Sequence, residues 1–379
     1  MKELNLGARS IFTGSGSLSS LNAVTAARAF IVTGGSSMFK NGTIAKIEGI
    51  LKDKQCETLV YSGISKNPDT AAVLAGLARM RDFAPDTVIA VGGGSPLDAA
   101  KVMALMYEYP ELTFANVLAA PLPARRDKIQ LIAIPSTSGT ASEVTRAAVV
   151  TFRDKELKIG LKTNAFIPDI AILDPELTLS MPPALVAETG MDAMTHALEC
   201  YLNINADEFT TTLAVGAVEG ILTYLPLSYR DNTLAAREKM HYYQCIAGVA
   251  FANAGLGAVH GIAHALGGKF DMAHGLLNAI GLPYVLSYNS QDGCVREKLK
   301  RLARRTGQHD IIGAVLQLNK AVDIPGCLKD TGLSAAEFEA ALPGLVENSL
   351  KGSTAGNPVR IDADAMRILL LEIFYGREF

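Results

Sequence analysis

Two domains of different class follow from the sequence: an α/β domain with a doubly wound parallel sheet over residues 1–180, then an all-α domain over residues 181–379. Three observations carry this reading. Short β-branched runs alternate with helical stretches across residues 29–174, the spacing of consecutive parallel βαβ units. The texture changes at SMPPALVAE, where a Pro-Pro step ends the strand signals and segments of 3.6-residue period begin. The 379-residue chain also exceeds the roughly 250–300 residues at which one hydrophobic core stops growing, so two cores are expected.

In chain order, AFIVT reads as a strand and residues 44–51 as a helix, followed by the strand ETLVYSG and a helix running through Leu77. DTVIAVGGG, a helix over 97–107 and IQLIAIPSTSGT continue the alternation. The runs 88–91 and 131–134 are unbroken apolar stretches, as strands covered on both faces should be. Beyond Pro183 the helical segments are 185–202, 210–224, 235–254 and 257–266.

Within DTVIAVGGGSPLDAAKVMAL a strand, a glycine turn and a helix start are contiguous, with Ser95 expected as N-cap, Pro96 at N1 and Asp98 at N3. Glycines at 92, 93 and 94 would let phosphate oxygens approach backbone N–H groups at the positive end of the helix dipole. The sequence is neither GxGxxG nor a P-loop. A second polar turn, PSTSGTASEVT, offers Thr137, Ser138 and Thr140 at the carboxyl end of the same sheet, where doubly wound folds bind ligands. The two turns together read as a dinucleotide site.

Of six histidines, four fall in two short segments, GMDAMTHALE and HGIAHALGGKFDMAH. Asp192 and His196 stand four apart on a predicted helix, so both side chains leave one face, as ligands of one ion must. His260 and His264 repeat the spacing, and Gly267 and Gly268 are expected to break the helix so that His274 folds back. One carboxylate with imidazoles suits Fe²⁺ or Zn²⁺. Spacing alone leaves two sets open: one without His264, and one that uses both His260 and His264 without His274.

Charge and cysteine usage exclude other classes. Lys plus Arg (35) nearly cancels Asp plus Glu (38), with no nucleic-acid footprint. The cluster Lys298, Lys300, Arg301, Arg304, Arg305 recurs at helical spacing and reads as a solvated face. Five cysteines lacking any CxxC pair imply a reducing compartment. MKELNLGARSIFTGSGSL has no signal-peptide core, and no apolar stretch nears the roughly 20 residues of a membrane span. A cytoplasmic protein is expected.

The motifs NPD at 67–69, GGGSPLDAAK, PSTSGTASEVT, PDIAILDPEL, GMDAMTHALE, GLGAVHGIAHALGG, the HG at 274–275 and GNP at 356–358 run nearly end to end. In them the chain resembles the iron-containing, group III alcohol dehydrogenases, similar to lactaldehyde/1,2-propanediol and 1,3-propanediol oxidoreductases. The resemblance implies a Rossmann-like N-terminal domain, a helical C-terminal domain and hydride transfer between NAD(H) or NADP(H) and a small alcohol/aldehyde pair. It implies metal ligation by Asp192, His196, His260 and His274, with His264 beside the substrate and Phe251 lining its pocket. For the cofactor it implies Asn67, Gly92, Gly93, Gly94, Ser95 and Asp98, then Thr137, Ser138 and Thr140, with Lys158 near the ribose. A homodimer or higher homo-oligomer is expected.

One departure bears on cofactor choice. Many members carry an acidic residue after the first dinucleotide-domain strand, in a segment like VTD, whereas this chain has VTGG and places Gly34 there. Gly34, Gly35 and Ser36 leave room and donors for a 2′-phosphate; Lys40 nearby is read as a surface lysine, and Arg146 after EVT as a surface or structural arginine. Two other readings compete with the dehydrogenase. A dehydroquinate-synthase-like lyase would need a basic phosphate pocket, and the metal segments hold few basic residues. A non-catalytic metal- and nucleotide-binding protein is required by nothing in the sequence.

Overall fold

A computed structural model describes residues 4–119, 121–153, 157–377 and 379. The chain divides into two compact units, Met1–Ser180 and Met181–Phe379. The first unit contains β1 (Ser10–Thr13), β2 (Arg28–Gly34), α1 (Ser37–Lys40), α2 (Thr43–Asp53), β3 (Glu57–Ile64), α3 (Thr70–Phe83), β4 (Thr87–Gly92), α4 (Gly94–Glu108), β5 (Gln130–Pro135), β6 (Ala147–Phe152), β7 (Leu157–Lys162) and β8 (Ile170–Leu173).

Six of the strands form one sheet in the order β1-β8-β5-β4-β2-β3, every pairing parallel. Its apolar runs are continuous because alternate residues feed two cores. Phe30, Val32, Val88, Ala90, Leu131 and Ala133 pack with Val73, Leu77 and Leu97. Ile31, Ile89, Val91, Ile132 and Ile134 pack on the other face with Ile44, Ile47 and Leu51. Strands β6 and β7 form a separate antiparallel pair that the sequence reading did not anticipate. Its buried and half-buried residues alternate in the fold, but AAVVTF is short and carries no apolar/polar alternation in its sequence.

The second unit holds α5 (Pro183–Leu202), α6 (Glu208–Arg230), α7 (Leu234–Ala254), α8 (Ala258–Phe270), α9 (His274–Asn289), α10 (Gly293–Thr306), α11 (Ile311–Ala321), α12 (Ala335–Ser349) and α13 (Ala363–Tyr375). Among the described residues it has no strand. Helix α5 is buried almost all round from Val186 to Leu202, which places it at the centre of the bundle. Contrary to the sequence reading, α6 is long and apolar enough by composition to cross a membrane. Its buried residues, among them Val215, Val218, Ile221 and Leu225, belong to the core of this unit. The basic cluster of α10 is exposed, as is Arg146 in the first unit.

Two sequence expectations are corrected. Helix α4 starts at Gly94 with Gly93 as N-cap, two residues earlier than expected, because Gly92 at φ 139° turns the chain sharply out of β4. Ser95 is therefore inside the helix and Asp98 lies past its first turn. Gly267 and Gly268 do not break α8, which runs to Phe270. Packing of the buried Leu266 and Gly267 outweighs a helix-propensity cost of about 1 kcal/mol per glycine. The reversal comes at Asp271, in the left-handed region at φ 52°.

Candidate metal centre and dinucleotide site

Helix α5 presents Asp192 and His196 one turn apart, α8 presents His260, and α9 begins with His274. The three imidazole Nε2 atoms converge on one oxygen: Asp192 Oδ1 lies 3.8 Å from His196, 3.7 Å from His260 and 3.7 Å from His274. Adjacent ligands of an ion about 2.1 Å away stand roughly 3.4 Å apart in a tetrahedron, so the spacing fits a single Fe²⁺ or Zn²⁺. Asp192, His260 and His274 form a group whose ligand atoms all lie within 4.8 Å of one another. His196 joins it through Asp192 and through its ring, stacked 4.7 Å from that of His260.

The site is closed to solvent except at one edge. Asp192, His196 and His260 are buried, whereas the His274 side chain is 31% exposed. Burial alone would raise the Asp192 pKa, but the surrounding imidazoles hold it well below the ordinary carboxylate range. Burial alone would lower that of His260, yet hydrogen bonding to Asp192 and Glu199 lifts it to about 9. Protons on the imidazoles thus offset the charge of the buried carboxylates, and a divalent cation bound there would take over that role and displace them.

His264 is half-buried and stacks on His274 at 5.1 Å, with its ring 6.0 Å from His260. It is not one of the three residues, Asp192, His260 and His274, whose ligand atoms cluster within 4.8 Å. Phe251 of α7 stacks on His196 at 4.3 Å and closes one face of that ring.

In the first unit the two polar turns meet. A Cβ on Gly93 would lie 3.5 Å from Thr137, and one on Gly94 would lie 2.8 Å from the Thr140 methyl. Glycine at 94 is thus a packing requirement, while a Cβ at 93 would make only ordinary contact with Thr137. No side chain caps α4, so its first-turn N–H groups remain available to an anion, unlike those of α3, which Asp69 caps. Asn67 and Lys158 are brought together by a 2.9 Å bond from Nζ to Oδ1.

Asp98 is engaged within the chain. Its carboxylate accepts from Ser142 Oγ at 2.6 Å and Val149 N at 2.9 Å, and burial pushes its pKa up. Lys101, one turn on, donates to the carbonyls of Thr145 and Ala147, and burial pulls it down to about 8. The pair ties α4 to the segment leading into β6.

Comparison with known proteins decides the family. Residues 8–175 match the profile described as iron-containing alcohol dehydrogenase, and residues 186–374 match the Fe-containing alcohol dehydrogenase family, C-terminal. The chain belongs to the iron-containing alcohol dehydrogenase family. It is 41% identical to an NADPH-dependent butanol dehydrogenase of Clostridium saccharobutylicum, over 98% of this chain and 97% of that one. The iron-containing alcohol dehydrogenase of Thermococcus thioreducens superposes with a TM-score of 0.92 at 32% identity, covering 99% of this chain and all of the other. A sulfoacetaldehyde reductase from Bifidobacterium kashiwanohense, solved with NAD⁺, gives 0.89 at 26% identity, with complete coverage of both chains.

Two groups of this dehydrogenase escaped the sequence reading. Glu199 on α5 lies 2.7 Å from His260 Nδ1 through Oε2. Asn278 on α9 is fully buried; its Nδ2 donates to Asp192 Oδ1 at 2.6 Å and lies 3.2 and 3.1 Å from Nε2 of His260 and His274. Asn278 Nδ2 thus sits among the ligand atoms, while its Oδ1 is buried without a hydrogen-bond partner. Both residues could have been found: Glu199 is three after His196 and Asn278 four after His274, so each shares a helix face with a ligand.

Proposed function

We propose that this chain is an NAD(P)-dependent alcohol dehydrogenase that interconverts a small aliphatic alcohol and its aldehyde, with Asp192, His196, His260 and His274 holding Fe²⁺, or Zn²⁺ as the alternative ion. The observation that carries the reading is the convergence of three Nε2 atoms on Asp192 Oδ1. A divalent ion held there supplies Lewis acidity to the substrate oxygen, and the nicotinamide supplies the hydride acceptor or donor. The protein's part is to hold and orient. Asn278 steadies the Asp192 carboxylate, and Phe251 keeps water from one face of His196. His264 moves or orders a proton beside His274. The turn at Gly92, Gly93 and Gly94 with the start of α4 takes the pyrophosphate, joined by Ser95, Thr137, Ser138 and Thr140, while Asn67 and Lys158 take the ribose.

The relative named butanol dehydrogenase and the apolar ring of Phe251 support an uncharged aliphatic substrate. Purified, iron-loaded protein should oxidise the reduced cofactor stoichiometrically with butanal. Activity confined to anionic aldehydes would overturn the substrate class, and no net cofactor turnover with any aldehyde would overturn the dehydrogenase reading. We infer likewise a cytoplasmic homo-oligomer. All five cysteines are free, and the outer edge of β1 is exposed with Ile11 and Phe12 on it. A monomer mass by light scattering would dismiss the oligomer.

Cofactor choice is expected to be permissive. Gly34 ends β2, and the relative named as NADPH-dependent supports acceptance of the 2′-phosphate. kcat/KM for NADPH should fall within about two orders of magnitude of that for NADH, roughly 3 kcal/mol of discrimination. Gly34→Asp should then shift the ratio toward NADH through repulsion of the 2′-phosphate. A Cβ there lies 3.0 Å from the Ile64 carbonyl oxygen, so β3 must give by a few tenths of an ångström and both rates should drop somewhat. An unchanged ratio would show that Gly34 is not at the adenosine ribose.

A further inference from the structure

We propose that Glu199 is a positioning residue of the metal centre, whose carboxylate keeps the His260 proton on Nδ1 and so leaves the Nε2 lone pair for the ion. The inference rests on the reading of His260 as a ligand. Its own basis is a pair of contacts made by one buried carboxylate, 6% exposed. Oε2 lies 2.7 Å from His260 Nδ1, and Oε1 accepts from the Val259 backbone N–H at 2.6 Å. That N–H belongs to the first turn of α8, whose N-cap, Gly257, offers no side chain.

Glycine at the start of α8 lets this carboxylate approach the backbone closely. A Cβ on Gly257 would stand 2.9 Å from Glu199 Oε1 and 3.2 Å from Asn357 Oδ1. Asn357, from the GNP segment, accepts from Ala258 N at 3.4 Å and exchanges two amide bonds with Asn289, at 3.0 and 2.7 Å. The start of α8 is thus held by two side chains from elsewhere in the unit, and one of them continues directly to the imidazole two residues into the helix. With Oε1 accepting from Val259 N–H, the 2.7 Å contact of Oε2 is satisfied by a proton carried on His260 Nδ1. Carboxylates set behind ligand histidines commonly tune metal affinity by 10–100-fold.

Glu199→Gln separates positioning from packing, because glutamine has the same size and only one acceptor. If its oxygen stays on the Val259 N–H, its NH₂ faces Nδ1 and drives the proton to Nε2, where it blocks the metal. If its oxygen turns to Nδ1, two donors collide at Val259. The measurement is zinc affinity of the apo protein by chelator competition, with helix content followed in parallel. E199Q should keep its helix content and bind zinc about 10–100-fold more weakly. His260→Ala, measured alongside, should lose zinc altogether.

Parental zinc affinity in E199Q, with zinc lost in His260→Ala, would overturn the role of Glu199 while leaving the ligand assignment intact. Zinc held at parental affinity by His260→Ala would overturn the assignment itself and this inference with it. The unsubstituted protein supplies a readout that needs no variant to fold. In zinc-loaded protein labelled with ¹⁵N-histidine, His260 should show an exchange-protected proton on Nδ1 and none on Nε2. The reverse tautomer would overturn the proposal.

Discussion

His274→Ala is expected to release the metal and to abolish turnover together. Losing one of four ligands leaves an undersaturated site, and the ion's contribution to the transition state is several kcal/mol, so activity should fall by more than about 10³-fold. His274 is the cleaner position for this test. Its side chain is 31% exposed at the start of α9, so alanine there leaves little buried void. His260→Ala should have the same effect on metal and rate, but it also strands the Glu199 carboxylate in a buried site and should lower the stability of the apo protein. Elemental analysis beside turnover checks both. Full metal occupancy in His274→Ala would show that the ligand set is wrongly assigned.

The parts of this protein that were legible in the sequence are those governed by local periodicity. The strands 88–91 and 131–134 could be read because cover on both faces makes them continuous apolar runs, and α5 and α8 because their apolar faces are long. The same rule placed Asp192 beside His196. Elements set by distant contacts were not legible. Glycines 267 and 268 stay helical only because the bundle packs around them. Helix α4 begins early because Gly92 adopts a conformation that no neighbouring residue announces. Glu199 and His260 are 61 residues apart, so their contact follows from the fold and not from the spacing of either segment. Asp98 suited an N-cap box on paper. In the folded unit it serves Ser142 and Val149, which lie 44 and 51 residues away.

The second large effect is expected at His264, where alanine should leave the metal in place and slow the reaction. The ring stacks on His274 and meets His260 edge-on, but it is not part of the group formed by Asp192, His260 and His274. A group that relays or orders a proton at a reacting centre typically contributes ~10²–10⁴-fold, so kcat in His264→Ala should fall by that factor at full metal content. Added imidazole distinguishes the two ways this can arise. His264 is half-buried, so the space left by alanine is open to a small base, and recovery of kcat with imidazole would identify a proton relay. A loss of rate that imidazole does not restore would leave His264 as a prop for the His274 ring, and the metal should then dissociate faster as well. Loss of metal at equilibrium in His264→Ala would instead make it a ligand, the alternative that i, i+4 spacing with His260 had left open. An unchanged kcat would remove it from the reaction.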